Sequence, residues 1–242
     1  MARSLLALTF VLALALIAIA RFPASLALDL LLPSVHLPND LQLRYARGSI
    51  WQGQIDLVFR TFPATTVTWE IDGLNPGPRL NLSAKTPNGQ SELFGTLSVS
   101  SNRVELQALS FFLSSSDSLQ LAQEYGHDLA GDLSGEAIHA HLTGPCLDQL
   151  SGELAWTGGP LTVNTGSKHY VLNTPPMSGD LLVQDCGPAA QLRAMNQSSA
   201  TAAFSVNQSG WFTVDISPEL IALVDPSGAN PGGSMQFEAK IR

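Results

Sequence analysis

Two histidines form the first group whose type and spacing suggest chemistry. His139 and His141 are two residues apart, so a strand through them would place both side chains on one face. Two imidazoles on one face can bind Zn²⁺ when a third ligand arrives from elsewhere, and Cys146 and Asp148 are the nearest candidates. Because no recognised ligand spacing joins these residues, we predict a polar outer face here and no requirement for a metal.

The two cysteines, Cys146 and Cys186, form the second group. A nucleophilic cysteine needs a neighbouring base, and no His-Asn or His-Asp signature accompanies either residue. A single disulfide and two inert core thiols both remain open, and the cellular compartment decides between them. For an exported chain we predict the disulfide, which would close a loop of about 40 residues and constrain the unfolded chain by about 3–4 kcal/mol.

The other titratable residues show no catalytic constellation. The sequence contains no paired-carboxylate, Ser-His-Asp, P-loop or dinucleotide-binding pattern, and charged residues make up only 13% of the chain. The net charge of −8 repels phosphate backbones, which argues against nucleic-acid binding. We therefore predict a protein that is not an enzyme, has no cofactor and acts through its surface.

An uncharged apolar run from Leu5 to Ala20 lies near the N-terminus. Roughly 16 residues span about 24 Å as a helix, and the apolar residues up to position 25 bring this closer to a bilayer core of about 30 Å. Ala18-Ile19-Ala20 has the form that a signal peptidase accepts, so cleavage and retention both remain open. We predict retention: a cytoplasmic stub at 1–4, a transmembrane anchor at 5–25 in the inner membrane, and a periplasmic domain at 26–242.

Beyond Pro33 the dominant pattern is an alternation of apolar and polar residues with period two. In the closing segment, Met235, Phe237, Ala239 and Ile241 alternate with polar residues, as in a half-buried strand. Many short segments of this kind predict a mainly β, antiparallel domain. The turn signals between them are Asn75-Pro76-Gly77, Pro87-Asn88-Gly89, Gly158-Gly159-Pro160 and Pro226-Ser227-Gly228.

Two short helices are predicted to interrupt the strands. The first runs from Asp117 to Leu129, and the second starts at Ser217-Pro218-Glu219, where Ser217 is a suitable N-cap, and ends at Val224. A loose echo between segments 48–53 and 152–158, each with a Trp two residues before a glycine, suggests two similar halves at 35–112 and 131–242.

The tryptophans of these echoes, Trp51 and Trp156, have two possible roles. They are expected to pack in the core beside a turn, or to form an exposed recognition patch.

Four segments, in order, carry a resemblance to a known family. They are the end of the apolar run (Arg21-Phe22-Pro23-Ala24), Gly48-Ser49-Ile50-Trp51-Gln52-Gly53, Leu150-Ser151-Gly152-Glu153-Leu154-Ala155-Trp156, and Gly210-Trp211-Phe212-Thr213-Val214-Asp215-Ile216-Ser217-Pro218. The set resembles protein N of the type II secretion system, an inner-membrane accessory subunit of Gram-negative bacteria, although Ser49 stands where the family pattern has Thr. The resemblance implies a non-enzymatic accessory or scaffold subunit that supports export of folded periplasmic proteins, with other secretion subunits and the inner membrane as partners. The resemblance identifies no functional residues that could be transferred to positions of this chain.

Two modes of action remain open for such a β-rich domain. A strand at a sheet edge can take up a partner's strand, and segment 235–242 is our first choice for that edge. The alternative is a periplasmic lipid-handling protein, because an open sheet with one apolar face can cradle acyl chains. A packed, dry inner face would favour the scaffold, whereas a continuous apolar groove would favour lipid.

Overall fold

The computed structural model describes residues 10, 12, 14, 17–32, 40–74, 77–124, 128–165, 168–224 and 234–240. Within these ranges no helix has both the length and the apolar character needed to cross a membrane. Part of the predicted anchor at 5–25, the turn signals at 75–76 and 226–228, and the cytoplasmic stub lie outside the described residues. The helices are α1 (Ala24–Leu31), α2 (Ser115–Glu124) and α3 (Pro218–Val224).

Strands make up most of the described chain. They are β1 (Leu41–Gly48), β2 (Gln52–Phe59), β3 (Phe62–Gly73), β4 (Arg79–Lys85), β5 (Glu92–Ser100), β6 (Arg103–Leu113), β7 (Asp128–Leu129), β8 (Leu133–Thr143), β9 (Cys146–Trp156), β10 (Gly159–Thr165), β11 (Lys168–Thr174), β12 (Met177–Gln184), β13 (Gly187–Ala194), β14 (Ala202–Val206), β15 (Trp211–Ile216) and β16 (Met235–Lys240).

Thirteen strands form one antiparallel sheet in nearly the order of the sequence. Its order is β1-β2-β3-β4-β5-β6-β8-β9-β12-β13-β14-β15-β16, and the remaining strands form a small sheet of order β11-β10-β7. The prediction of a mainly β, antiparallel fold with short helices is confirmed. The two segments proposed as similar halves continue into each other, because β6 pairs directly with β8. The transmembrane helix remains a prediction.

Bulges interrupt the ladders at several strands. Tyr45, Ala108 and Ala137 have φ angles of 53°, 50° and 50°, and the register of β1, β6 and β8 shifts beside them. A bulge bends its strand and increases the local twist. Gly95 lies across from one of them, where a Cβ would come within 2.9 Å of the Leu109 Cδ1 atom. The small residue therefore lets neighbouring strands follow the bend.

The first predicted helix is wrong at both ends. It begins at Ser115 and ends at Glu124, while Asp128 and Leu129 form β7 and pair with β10. The apolar spacing alone could not distinguish a longer helix from a helix followed by a strand, because the pairing partner is more than 30 residues away in the sequence. The second helix has the predicted range, with Ser217 immediately before its first residue.

Candidate functional site

The polar side chains of the large sheet share one face. Directly paired residues on adjacent strands project from the same side, and Gln54, Thr68 and Ser83 form one such row across β2, β3 and β4. Asp180 and Gln191 form another across β12 and β13. Between β2 and β6 this face has a shallow depression of about 850 Å³ lined by a mixture of amide, hydroxyl, charged and apolar side chains.

The opposite face is apolar across the whole 13-stranded sheet. Thr65 is the one polar side chain at the paired positions of this face, and its hydroxyl donates to the Pro63 carbonyl oxygen at 3.0 Å. We call this surface the apolar face. Its side chains include Leu43, Ile55, Val67, Leu82, Leu97, Leu106, Ile138, Leu154, Leu181, Leu192, Phe204, Val214 and Phe237.

Much of the apolar face is half-buried. Leu82, Leu97 and Val214 retain partial exposure, and Phe237 on the last strand is 54% exposed, whereas Ile138 near the middle is 5% exposed. Large apolar side chains on a sheet normally lie against a second layer. Here the described residues supply such a layer over part of the face, and exposure along it ranges from buried side chains such as Ile55 and Ile138 to the exposed Phe237.

The covering elements lie at one end of the strands, which we call the closed end. Its first part is α2, attached near the β4–β5 connection by a buried carboxylate. Asp117 is 4% exposed and accepts hydrogen bonds from the hydroxyls of Thr86 at 3.0 Å and Ser91 at 2.6 Å. The Ser91 hydroxyl in turn accepts the backbone N–H of Ser114, at 3.0 Å. This network fixes the start of the helix to the sheet.

The second part of the closed end is α3. Leu220 is 6% exposed and packs against Met177 and Ala194 at the ends of β12 and β13. The Ser217 hydroxyl accepts the backbone N–H of Leu220 at 3.3 Å, as an N-cap does. Hydrogen bonds from its own backbone N–H and from Ser217 lower the pKa of the Glu219 carboxyl. The cap therefore positions an apolar helix over the most deeply buried cluster of the apolar face.

The other end of the strands, which we call the anchored end, receives the N-terminal segment. The backbone N–H of Ile50 donates to the Phe22 carbonyl oxygen at 3.0 Å, and Pro23 forms an isolated bridge with Ser49. The Trp51 indole N–H donates to the Ile19 carbonyl oxygen at 3.0 Å. These contacts attach the chain just after the apolar run to the β1–β2 turn.

Both predicted tryptophans use their indole N–H groups internally. Trp51 is half-buried in the β1–β2 turn, whereas Trp156 at the closed end donates to the Ala130 carbonyl oxygen at 3.2 Å and contacts the buried cluster. Trp69, which the sequence analysis did not select, donates to the Ile50 carbonyl oxygen at 3.1 Å. The Trp51 and Trp69 bonds both converge on the β1–β2 turn.

The two cysteines are joined in the structure. The Cys146–Cys186 disulfide connects residues 40 apart in the sequence and links the β8–β9 turn to the β12–β13 turn. The Leu147 backbone N–H also donates to the Cys186 carbonyl oxygen, at 3.2 Å. The β9–β12 ladder runs from Trp156–Met177 to Glu153–Asp180, so the disulfide fastens the two strands beyond the end of their ladder.

The two histidines weighed as metal ligands make different contacts. The His139 Nδ1 atom accepts the backbone N–H of Ala108 at the β6 bulge, at 3.4 Å, whereas His141 Nδ1 lies 2.9 Å from an Asp148 carboxylate oxygen. A hydrogen bond from Thr143 and the charge of His141, among other contacts, lower the pKa of Asp148. Within the described part of the chain, no group of three or more His, Cys, Asp and Glu residues could hold a metal ion.

The two edges of the large sheet also differ. On β1 the register shifts between Arg44 and Arg47, and α1 lies beside this strand. By contrast, β16 pairs with β15 without a register shift from Met235 to Lys240. The prediction that the last strand lies at an edge is confirmed for these residues; positions 241–242 are not described.

Comparison with known proteins identifies a family. The model of the family described as type II secretion system, protein N, matches residues 39–232. No curated protein and no solved structure matches the chain. The matched range covers most of the sequence and contains three of the four motif segments that carry the resemblance. The chain therefore belongs to the type II secretion system protein N family.

Proposed function

We propose that the protein is an accessory subunit of the type II secretion system, held in the inner membrane by segment 5–25, with a periplasmic domain that acts as a scaffold. Membership of an accessory family of this system supports the assignment. Its other support is the shape of the domain, a wide sheet with an accessible edge strand. In this proposal the domain contributes to export of folded proteins by binding other subunits, without a catalytic step of its own.

The single observation that carries the scaffold is the regular, bulge-free edge strand β16. An edge strand exposes backbone N–H and C=O groups that can pair with a strand of another protein. Here the six residues of β16 are in continuous register with β15, and Gln236, Phe237 and Glu238 are exposed. The edge at β1 carries a bulge and an adjacent helix, which makes it a poorer template.

Two measurements test the scaffold. Co-purification of the full chain from native membranes should recover other secretion subunits, and Gln236→Pro in β16 should reduce both this recovery and secretion. Gln208→Pro in the β14–β15 turn is the matched control, because it lies outside the ladders. Normal recovery and secretion with Gln236→Pro would reject β16 as the binding edge. A single conservative polar substitution that abolished secretion while the complex survived would instead favour an enzyme.

A lipid-handling role is the second candidate, and a specific observation favours it. The apolar face is continuous across the sheet and remains half-buried rather than forming the packed, dry face expected of a pure scaffold. Extraction and mass spectrometry of lipids bound to the full chain, purified from membranes, test this role. Stoichiometric lipid that is lost with Leu97→Glu, but retained with the polar-face control Thr96→Glu, would support it. Lipid-free protein would count against it.

A further inference from the structure

The chemistry of the apolar face restricts what can occupy it. Twelve strand spacings of about 4.8 Å give an arc of roughly 60 Å, and Thr65 is the one polar side chain at its paired positions. A protein partner normally makes about one hydrogen bond for each 100–200 Å² of interface. This face offers almost no side-chain donors or acceptors, so it suits an occupant without hydrogen-bonding groups, such as an acyl chain.

The β12–β14 corner of the closed end is more deeply buried than the β5–β6 part of the anchored end. At the closed end, Met177, Ala194, Ala202 and Leu220 are between 2% and 6% exposed. At the anchored end, the apolar side chains of Val99 and Val104 are only half-buried, and they form a direct cross-strand pair. An acyl chain can therefore enter the apolar face at the anchored end, whereas α2 and α3 obstruct entry at the closed end.

The anchored end is also where the apolar N-terminal segment meets the sheet. Hydrogen bonds from Trp51 to Ile19 and from Ile50 to Phe22 fix this junction. Ile17 and Ile19 are helical and more than half exposed, as side chains that face lipid would be. The membrane-facing surface and the uncovered end of the apolar face thus occur on the same side of the domain.

We propose that an acyl chain of a membrane lipid enters the apolar face at the anchored end and extends toward the closed end, where α2 and α3 obstruct its path. This inference rests on the lipid-handling candidate and adds the site and direction of entry. Apolar contact holds the chain along β4 to β9, and the lipid head group remains at the membrane side. The proposal involves no covalent step.

A single strand provides the matched positions for a test. On β5, Val99 lies at the anchored end and Leu93 at the closed end of the apolar face, while Ser98 lies on the polar face. A photoreactive residue is placed at each position in the full chain in native membranes, and lipid adducts are measured by mass spectrometry. Adducts are expected at Val99 and Leu93 but not at Ser98.

Entry is then blocked by Val104→Glu, which places a carboxylate beside Val99 at the anchored end. Because burying an unpaired charge against acyl chains costs several kcal/mol, the Leu93 adduct should fall about tenfold or more. Glu105→Gln, on the adjacent polar-face position, is the control and should leave the adduct unchanged. Val104→Thr is a milder second variant, and thermal unfolding of each variant identifies loss of fold.

The outcomes distinguish the proposed route of entry from the proposal that the apolar face binds lipid. An undiminished Leu93 adduct in folded Val104→Glu or Val104→Thr protein would overturn entry at the anchored end while leaving lipid binding intact. Equal adducts at all three β5 positions, or none at Val99 and Leu93, would overturn the apolar face as the lipid site. Secretion and subunit recovery, measured in parallel, test the accessory role independently.

Discussion

The indole N–H of Trp51 donates a hydrogen bond to the carbonyl oxygen of Ile19, 32 residues earlier in the chain, at 3.0 Å. Trp51 belongs to the Gly48–Gly53 motif, and Ile19 lies near the end of the apolar run. The Gly48–Gly53 motif, which forms the β1–β2 turn, therefore contributes to the attachment of the N-terminal segment. This hydrogen bond explains why tryptophan, an aromatic residue with an N–H donor, is suited to this position of the turn.

We predict that Trp51→Phe loosens this attachment. The substitution keeps the ring and removes the donor, so about 1 kcal/mol of local stabilisation should be lost. Hydrogen exchange should accelerate in residues 17–32, with little change in the strands of the large sheet. Trp156→Phe is the control, because its indole bonds to Ala130 at the closed end. Equal acceleration of hydrogen exchange in residues 17–32 in both variants would show that the Trp51 hydrogen bond does not hold this segment in place.

The sequence predicts the two-faced sheet because alternation is a local property. Met235 to Lys240 illustrates this, since its pattern specifies a strand whatever its neighbours are. Local patterns carry no information about which strand lies at an edge or how many strands share one sheet. The direct β6–β8 pairing, across a helix and β7, follows from tertiary packing, so two similar halves could not be distinguished from one continuous sheet.

The candidate site is less predictable than the fold for a related reason. The spacing of His141 and Asp148 matches no motif, yet a bulge at Asp148 in β9 brings its carboxylate to the imidazole. Likewise, Asp117 reaches Thr86 and Ser91 only because the β4–β5 connection and α2 meet at the closed end. Such contacts depend on register and curvature, which single-sequence periodicity does not encode.

Removal of the disulfide should destabilise the domain. The chain-entropy model assigns about 4 kcal/mol to a loop of 40 residues, the separation of Cys146 and Cys186. We therefore expect the Cys146→Ser, Cys186→Ser double variant to unfold at a markedly lower denaturant concentration than the oxidised protein. Thiol labelling of unfolded, unreduced protein from the periplasm should find no free thiol. Labelling of both cysteines would contradict the prediction and weaken the periplasmic assignment.

The acid side of the stability profile should depend on Asp148. Its pKa lies below the ordinary value of 3.8, first because Thr143 donates a hydrogen bond to the carboxylate. A carboxyl with a lowered folded-state pKa stabilises the fold above its unfolded pKa, and this contribution disappears as the pH falls through the folded pKa. The stability difference between wild type and Asp148→Asn should therefore be present near neutral pH and vanish in acid.

NMR titration of Asp148 provides the direct measurement for this prediction. Thr143→Val removes the hydroxyl donor, so the pKa of Asp148 should rise toward its ordinary value. Thr213→Val, which lies on β15 and makes no bond to Asp148, should leave the titration unchanged. An unaltered Asp148 titration in Thr143→Val would show that the hydroxyl does not cause the shift.

The attachment of α2 should depend on the carboxylate of Asp117. This side chain is 4% exposed, and the two hydroxyls that donate to it, on Thr86 and Ser91, are also buried. Asp117→Ala leaves both hydroxyls without this acceptor, and each buried unsatisfied group costs about 1–3 kcal/mol. We expect chemical denaturation to show a loss of at least about 2 kcal/mol, whereas the exposed control Asp72→Ala should stay within about 0.5 kcal/mol of wild type. Hydrogen exchange should accelerate first in 115–124, because the network joins the helix to the β4–β5 connection. A uniform acceleration across the sheet, or no loss of stability, would show that Asp117 does not hold this helix in place.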